Sequence, residues 1–63
     1  MSTYRHKKRG SLYTILHDNA VLQMEDASHD NRRMVVYCPL EGGATYVRPH
    51  DEFFDGRFEQ VDA

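Results

Sequence analysis

The stretch Met34-Val-Val-Tyr-Cys-Pro-Leu-Glu-Gly-Gly-Ala-Thr-Tyr-Val-Arg48 decides the class of fold. Two short apolar runs flank a Glu-Gly-Gly turn, and glycine readily adopts the positive-φ conformations that tight turns require. The pattern predicts a β-hairpin with one strand over residues 34–40 and the next over residues 44–48. It contains no catalytic signature, so it predicts a structure and leaves the function open.

The hairpin has two possible registers, and they place the aromatic side chains differently. With Gly42 and Gly43 as a two-residue loop, Cys38 faces Val47 and the hairpin has two distinct faces. The first face is aliphatic and core-like, and it carries Val36, Cys38, Leu40, Thr45 and Val47. The second face is aromatic and basic, and it carries Val35, Tyr37, Tyr46 and Arg48. With Glu41 also in the loop, Tyr46 joins Cys38 on the core side and the rings fill the interior.

The rest of the chain predicts three further strands and one helical turn. Strands are expected over residues 12–16, 20–25 and 57–61, because β-branched, aromatic and alternating residues there are bounded by polar turn clusters. Residues 49–56 begin with proline, continue with acids and end with glycine, which is the order typical of a short helix. Residues 1–9 are polar without periodicity and are predicted to be a flexible or edge-lying basic arm.

Five short strands and a helical turn before the last strand predict a small, mostly β domain. We expect a five-stranded SH3-like barrel over residues 10–63, since five-stranded OB-type barrels are usually longer. The 63 residues form one domain at most. A domain of this size buries only about 60% of the surface of its unfolded chain, so the aromatic residues are needed for a core.

Composition excludes several classes of protein. The charged fraction is 29% and the net charge is −2, which gives no overall attraction to nucleic acid or membrane. No apolar stretch approaches the roughly 20 residues of a membrane-spanning helix, and no signal peptide is recognisable. Cys38 is the only cysteine, so no internal disulfide is possible and a cytoplasmic location is expected.

Half of the basic residues lie in the first nine positions: Arg5, Lys7, Lys8 and Arg9. The last quarter of the chain is acidic. One interpretation is an anion-binding arm. The other is a solvated segment that pairs loosely with the acidic end, and such surface ion pairs contribute little to stability.

No pattern for catalysis, a metal or a cofactor is present. The four histidines share no ligand spacing, and no nucleophile, phosphate-binding or zinc-protease motif occurs. We therefore expect a non-enzymatic module, a monomer or homodimer, that binds a protein or peptide. The residues expected to form its binding face are Tyr37, Tyr46, Arg48 and Phe54. The alternative is a nucleic-acid-associated protein that grips phosphates with Arg5, Lys7, Lys8 and Arg9.

Several short motifs recur in a known pattern. They are Tyr4-Arg5-His6, Gly10 before Leu12-Tyr13-Thr14-Ile15-Leu16, Val35-Val36-Tyr37-Cys38-Pro39-Leu40, Tyr46-Val47-Arg48-Pro49 with Phe53, and Arg57-Phe58-Glu59. The chain thereby resembles the bacterial and phage family known as domain of unknown function 1653, over residues 4–61. In that pattern tryptophan is usual at Tyr46 and methionine at Glu52. The resemblance implies a compact SH3-like β fold and no established activity.

Overall fold

The computed structural model describes residues 2–61, which form a single antiparallel sheet and one short helix. Its elements are β1 (Thr3–His6), β2 (Leu12–Val21), β3 (Arg33–Pro39), β4 (Tyr46–Pro49), α1 (His50–Phe53) and β5 (Phe58–Gln60). This confirms the predicted mostly β class with five strands and a helical turn before the last one. Residues 1, 62 and 63, the outer ends of the predicted arm and domain, lie outside the described residues.

The sheet is open. Its strand order is β4-β3-β2-β1-β5, and within residues 2–61 no ladder of backbone hydrogen bonds joins the edge strands β4 and β5. The predicted closed barrel is therefore not confirmed. The sheet is bent enough for its edges to touch through side chains, since the Arg48 guanidinium carbon of β4 lies 5.5 Å from the ring centroid of Phe58 in β5.

Part of the predicted flexible or edge-lying arm is instead a strand, β1, that lies within the sheet. Tyr4 pairs with Tyr13 of β2 on one side and with Gln60 of β5 on the other, so β1 lies inside the sheet. Residues 7–11 form the tight connection to β2, with Gly10 at φ 78° and its amide bonded to the His6 carbonyl at 2.7 Å. Tyr4 and His6 are two residues apart, so they lie on the same face of a strand. The charged Arg5 between them made this short strand read as part of a basic segment.

The predicted first and second strands are one continuous strand, β2. The expected turn at His17, Asp18 and Asn19 is instead an irregular part of the ladder, with register shifts between Ile15 and His17 and between His17 and Ala20. A bulge accommodates extra polar residues without ending the strand, provided that the partner strand continues. Here β3 continues opposite β2 over its whole length.

The β3–β4 hairpin has neither predicted register. Tyr37 pairs with Tyr46, whereas a two-residue loop would place it opposite Arg48. The connection is therefore longer than predicted, although Gly42 and Gly43 do adopt positive φ values of 93° and 111°. A shift of two residues leaves every side chain on its original face. The predicted division of the hairpin into two faces is therefore right despite the wrong register.

The prediction that the aliphatic face of the hairpin is the core-like one is wrong, because the aromatic face is buried. The core consists of Tyr13, Val35, Tyr37, Phe53 and Phe58, with Tyr4 and Ile15 packed against it. The aliphatic face of the hairpin points outward, and Val47 is 57% exposed. Aromatic rings fill the interior because a domain this small needs large side chains to bury enough surface. The helix α1 contributes Phe53, which stacks on Phe58 at 4.2 Å between ring centroids.

Candidate functional site

The structure brings together three of the four predicted binding residues. Tyr37 and Tyr46 are cross-strand neighbours with ring centroids 5.8 Å apart. Tyr37 is buried at 5% exposure, whereas Tyr46 at the sheet edge is 46% exposed. Arg48 follows Tyr46 on the same face of β4 and donates from Nε to the phenol oxygen of Tyr37 at 3.2 Å. We call these three residues the aromatic–arginine face. Only Tyr46 presents a substantial ring area there.

Arg48 is held in place by two contacts. Besides its hydrogen bond to Tyr37, its guanidinium lies over the Phe58 ring in a cation–π contact. The hydrogen bond to the Tyr37 oxygen raises the pKa of Arg48 above its ordinary value, and partial burial opposes that rise. The side chain is therefore charged and oriented before any ligand arrives, which lowers the entropic cost of binding.

Phe54, the fourth predicted residue, lies elsewhere. It packs edge-on against Tyr4 and stacks obliquely near His50, with ring centroids 6.0 and 4.7 Å away. The ring is 45% exposed and lines a separate open groove of about 580 Å³ beside the bulged part of β2. The structure therefore does not join Phe54 to the aromatic–arginine face.

The β1–β2 connection places basic residues beside that face. Six side chains line an open groove of about 690 Å³: His6, Lys7, Lys8, Arg9, Arg48 and Arg57. We call this the basic groove. A smaller depression of about 100 Å³ between His6, Arg9, Tyr46 and Arg48 connects it to the aromatic rings. The turn is tied to the start of β5 by a hydrogen bond of 3.0 Å from the Lys7 amide to the Arg57 carbonyl.

Arg5 is separated from the other predicted phosphate-binding residues. It alternates with His6 along β1 and so points to the opposite face of the sheet. There its guanidinium contacts the Glu59 carboxylate at 2.8 Å, in an exposed pair. Part of the basic N-terminal segment thus pairs with the acidic C-terminal segment, and the remaining part, Lys7 to Arg9, faces the groove.

The electrostatics of the basic groove are visible at His6. Its pKa is lowered, first by desolvation and then by repulsion from the surrounding cations Arg9, Arg48, Arg57 and Lys8. Its Nδ1 accepts a hydrogen bond from the Arg9 amide at 3.2 Å, which assigns the proton of the neutral ring to Nε2. No carboxylate is among the groove's lining residues. Carboxylates lie beyond the lining: Asp55 forms an exposed ion pair with Arg57 at 3.1 Å, and the charges of Glu52 and Asp55 help to raise the pKa of Arg48.

A second group of polar side chains occurs at the tip of the β2–β3 hairpin. Ser28 Oγ lies 2.7 Å from Asp26 Oδ1 and 2.9 Å from His29 Nδ1. Asp26 Oδ2 approaches the same His29 nitrogen at 3.3 Å. A catalytic triad uses the two ring nitrogens for different partners, so this exposed arrangement lacks its geometry. Asp26 also accepts the Ser28 amide, and the group is a side-chain-capped turn.

Across residues 2–61, no three histidine, cysteine, aspartate or glutamate side chains are placed to hold a metal ion. In the same part of the chain, no helix has the length and apolar character needed to cross a membrane.

Sequence reasoning missed His6 and Arg57 as members of the site. The usable signal for His6 was its two-residue spacing from Tyr4, which puts both on one strand face. Combined with Gly10 as a turn residue, that spacing predicts a hairpin with the strand at Leu12. Arg57 carried no such signal, because its place in the groove depends on β5 pairing with β1, a contact between the two ends of the chain.

One of three comparisons with known proteins gives a match, and it identifies a family. A search of the curated proteins found no match, and a search of the solved structures found none either. The family model described as "Protein of unknown function (DUF1653)" matches residues 2–62, nearly the whole chain. By this match, the chain belongs to the DUF1653 family.

Proposed function

We propose that this protein is a non-enzymatic binding module that engages an acidic segment of a protein or peptide partner at the aromatic–arginine face. One observation carries the proposal. The basic groove collects five cationic side chains and His6 with no carboxylate in its lining, and it opens beside the exposed ring of Tyr46. Such an arrangement attracts carboxylates and offers an aromatic surface for the apolar part of the same segment.

The preformed position of Arg48 supports this proposal. Interface arginines contribute most where they are already oriented, and Arg48 is fixed by Tyr37 and Phe58. The cations of the β1–β2 connection then form the outer part of the binding surface. Their effect is expected mainly on the association rate and on its salt dependence.

The second candidate is binding of single-stranded nucleic acid in the same groove. It is favoured by Lys7, Lys8 and Arg9, which lie together along one side of the groove. It is disfavoured by the aromatic residues, since stacking successive bases requires several exposed rings and only Tyr46 is exposed on this face.

The test uses fluorescence anisotropy with a fluorescein-labelled peptide rich in glutamate and a matched peptide in which glutamine replaces every glutamate. We expect saturable binding of the acidic peptide alone, weakening as the salt concentration rises. Deleting residues 1–9 is unsuitable because it removes β1, a strand inside the sheet. Arg9→Gln is therefore compared with Arg33→Gln, which removes the same charge from a site outside the groove.

We expect Arg9→Gln to weaken binding by about threefold to tenfold, while Arg33→Gln leaves it within about twofold of the unsubstituted protein. Equal losses in both variants would mean that only the overall charge matters and would contradict a defined site. Absence of saturable peptide binding would contradict the proposed function. Saturable binding of a twelve-residue thymidine oligonucleotide alone would establish the second candidate instead.

A further inference from the structure

The basic groove contains more positive charge than its surroundings balance. Three of its members are arginines, Arg9, Arg48 and Arg57, and two are lysines. Arg57 has an ion pair with Asp55 and is half exposed, and the charges of Glu52 and Asp55 also act on Arg48. These two carboxylates can balance only two of the five cationic charges in the lining. A single carboxylate would neutralise one charge of this cluster. The cluster is therefore suited to a ligand group with a higher charge.

We propose that the depression between Arg9 and Arg48 is a subsite for a phosphate monoester carried by the bound peptide. This inference rests on the proposed function and names the chemical group that the site recognises. A phosphoserine or phosphothreonine carries about −1.5 to −2 charge at neutral pH and three acceptor oxygens. Guanidinium groups match these oxygens with paired N–H donors, which gives short, charge-assisted hydrogen bonds.

The geometry of Arg48 fits this role. Its Nε is already bonded to the Tyr37 oxygen, and its guanidinium carbon lies over the Phe58 ring, 5.5 Å from the centroid. The guanidinium still lines the depression together with Arg9 and His6. A ligand oxygen can therefore bond the remaining N–H donors without breaking either internal contact.

The pKa of His6 depends on the same cations that line the groove. The cations that lower its pKa are Arg9, Arg48, Arg57 and Lys8, drawn from the β1–β2 connection, β4 and the start of β5. A bound phosphate placed among these groups offsets their repulsion and favours the protonated imidazole. Binding and protonation are reciprocal, so the ligand must raise the pKa of His6.

A phosphate monoester on a peptide fits these observations better than the phosphodiesters of a nucleic acid. A diester carries one charge per phosphate, so its binding energy depends on several phosphates along an extended basic track. Arg9 and Arg48 both line one depression of about 100 Å³, and one of its lining rings, Tyr46, is exposed. This is a site for one group of high charge.

The test compares three labelled acidic peptides that differ only at a central residue, which is serine, glutamate or phosphoserine. At about pH 7.5 we expect the phosphoserine peptide to bind roughly tenfold tighter than the serine peptide and several-fold tighter than the glutamate peptide. Arg9→Lys keeps the charge and loses the paired donors, and Arg9 lies in an exposed turn. It should lower the ratio of phosphoserine-peptide affinity to glutamate-peptide affinity, whereas Arg33→Gln, outside the groove, should leave that ratio within about twofold of the unsubstituted protein.

A second readout is the NMR titration of the His6 ring protons. The pKa of the His6 imidazole should rise when the phosphoserine peptide is added, and it should rise less when the serine peptide is added. Equal affinity for the glutamate and phosphoserine peptides, or an unmoved His6 pKa, would overturn the subsite and leave the proposed function standing. Failure of all three peptides to bind would overturn both. Tighter binding of inorganic phosphate or of the thymidine oligonucleotide than of the phosphoserine peptide would overturn the assignment to a peptide.

Discussion

Replacing Phe53 by alanine should unfold the protein, although the neighbouring Phe54→Ala should not. Phe53 is fully buried, and its ring stacks on Phe58 and contacts Tyr37 edge-on at 5.1 Å. A buried Phe→Ala change costs about 3–5 kcal/mol, through lost transfer energy and the cavity left behind. A single core in a domain this small supplies roughly 3–5 kcal/mol in total. The substitution therefore removes nearly all of the stability.

Phe54 provides the matched control because it is the same residue type in the next position. Full burial of a phenylalanine is worth roughly 1.5–3 kcal/mol, and this ring is 45% exposed, so its removal should cost about 1 kcal/mol. The conservative Phe53→Leu should fall between the two variants, since much of the volume is retained. Three variants at two adjacent positions thus separate burial from residue type.

The assay is urea unfolding followed by far-UV circular dichroism and tyrosine fluorescence, which is available because the chain contains four tyrosines and no tryptophan. We expect no cooperative transition for Phe53→Ala and a lower urea midpoint with an unchanged slope for Phe54→Ala. A cooperative Phe53→Ala protein within about 1 kcal/mol of the unsubstituted one would refute this account of the core. So would equal losses at the two positions.

Two further predictions concern the site. Tyr37→Phe keeps the buried ring and deprives the Arg48 Nε of its acceptor, so urea unfolding should show a loss of about 1–2 kcal/mol and peptide binding should weaken. An unchanged stability would show that the hydrogen bond does not orient Arg48. The pKa of His6 is lowered in the folded state, so the unfolded chain binds the extra proton and the urea midpoint should fall as the pH drops below about 6.5. His6→Gln should reduce this loss between about pH 7.5 and 5.5, and an identical pH profile in that variant would contradict the assignment.

The lowered pKa values of two carboxyl groups predict a separate loss of stability at lower pH. Hydrogen bonds from Ser28 lower the pKa of Asp26, and the Arg32 guanidinium lowers that of Asp51. Such groups stabilise the folded state above their ordinary pKa of 3.8, and that contribution is lost as the pH falls through the lowered values. The effect of His6 and the effect of the acids therefore fall in different pH windows.

Local pattern was sufficient for the class of fold and for the division of the β3–β4 hairpin into two faces. Strand propensity and two-residue alternation depend on neighbours in the chain, and they survived an error of two residues in register. The same pattern indicated Tyr46 and Arg48 as partners on one face. It also indicated a helical turn within residues 49–56, where proline and acids precede the glycine, and α1 lies there at His50–Phe53.

Tertiary structure alone decided which face is buried and which charges meet. Both faces of the hairpin are apolar enough to form a core. The buried face is the one against which Phe53 and Phe58, from the last part of the chain, pack. The basic groove likewise depends on β1 entering the sheet between β2 and β5, a pairing of residues more than fifty positions apart. Such pairings are selected by the burial they achieve in the whole molecule, and no short segment carries that information.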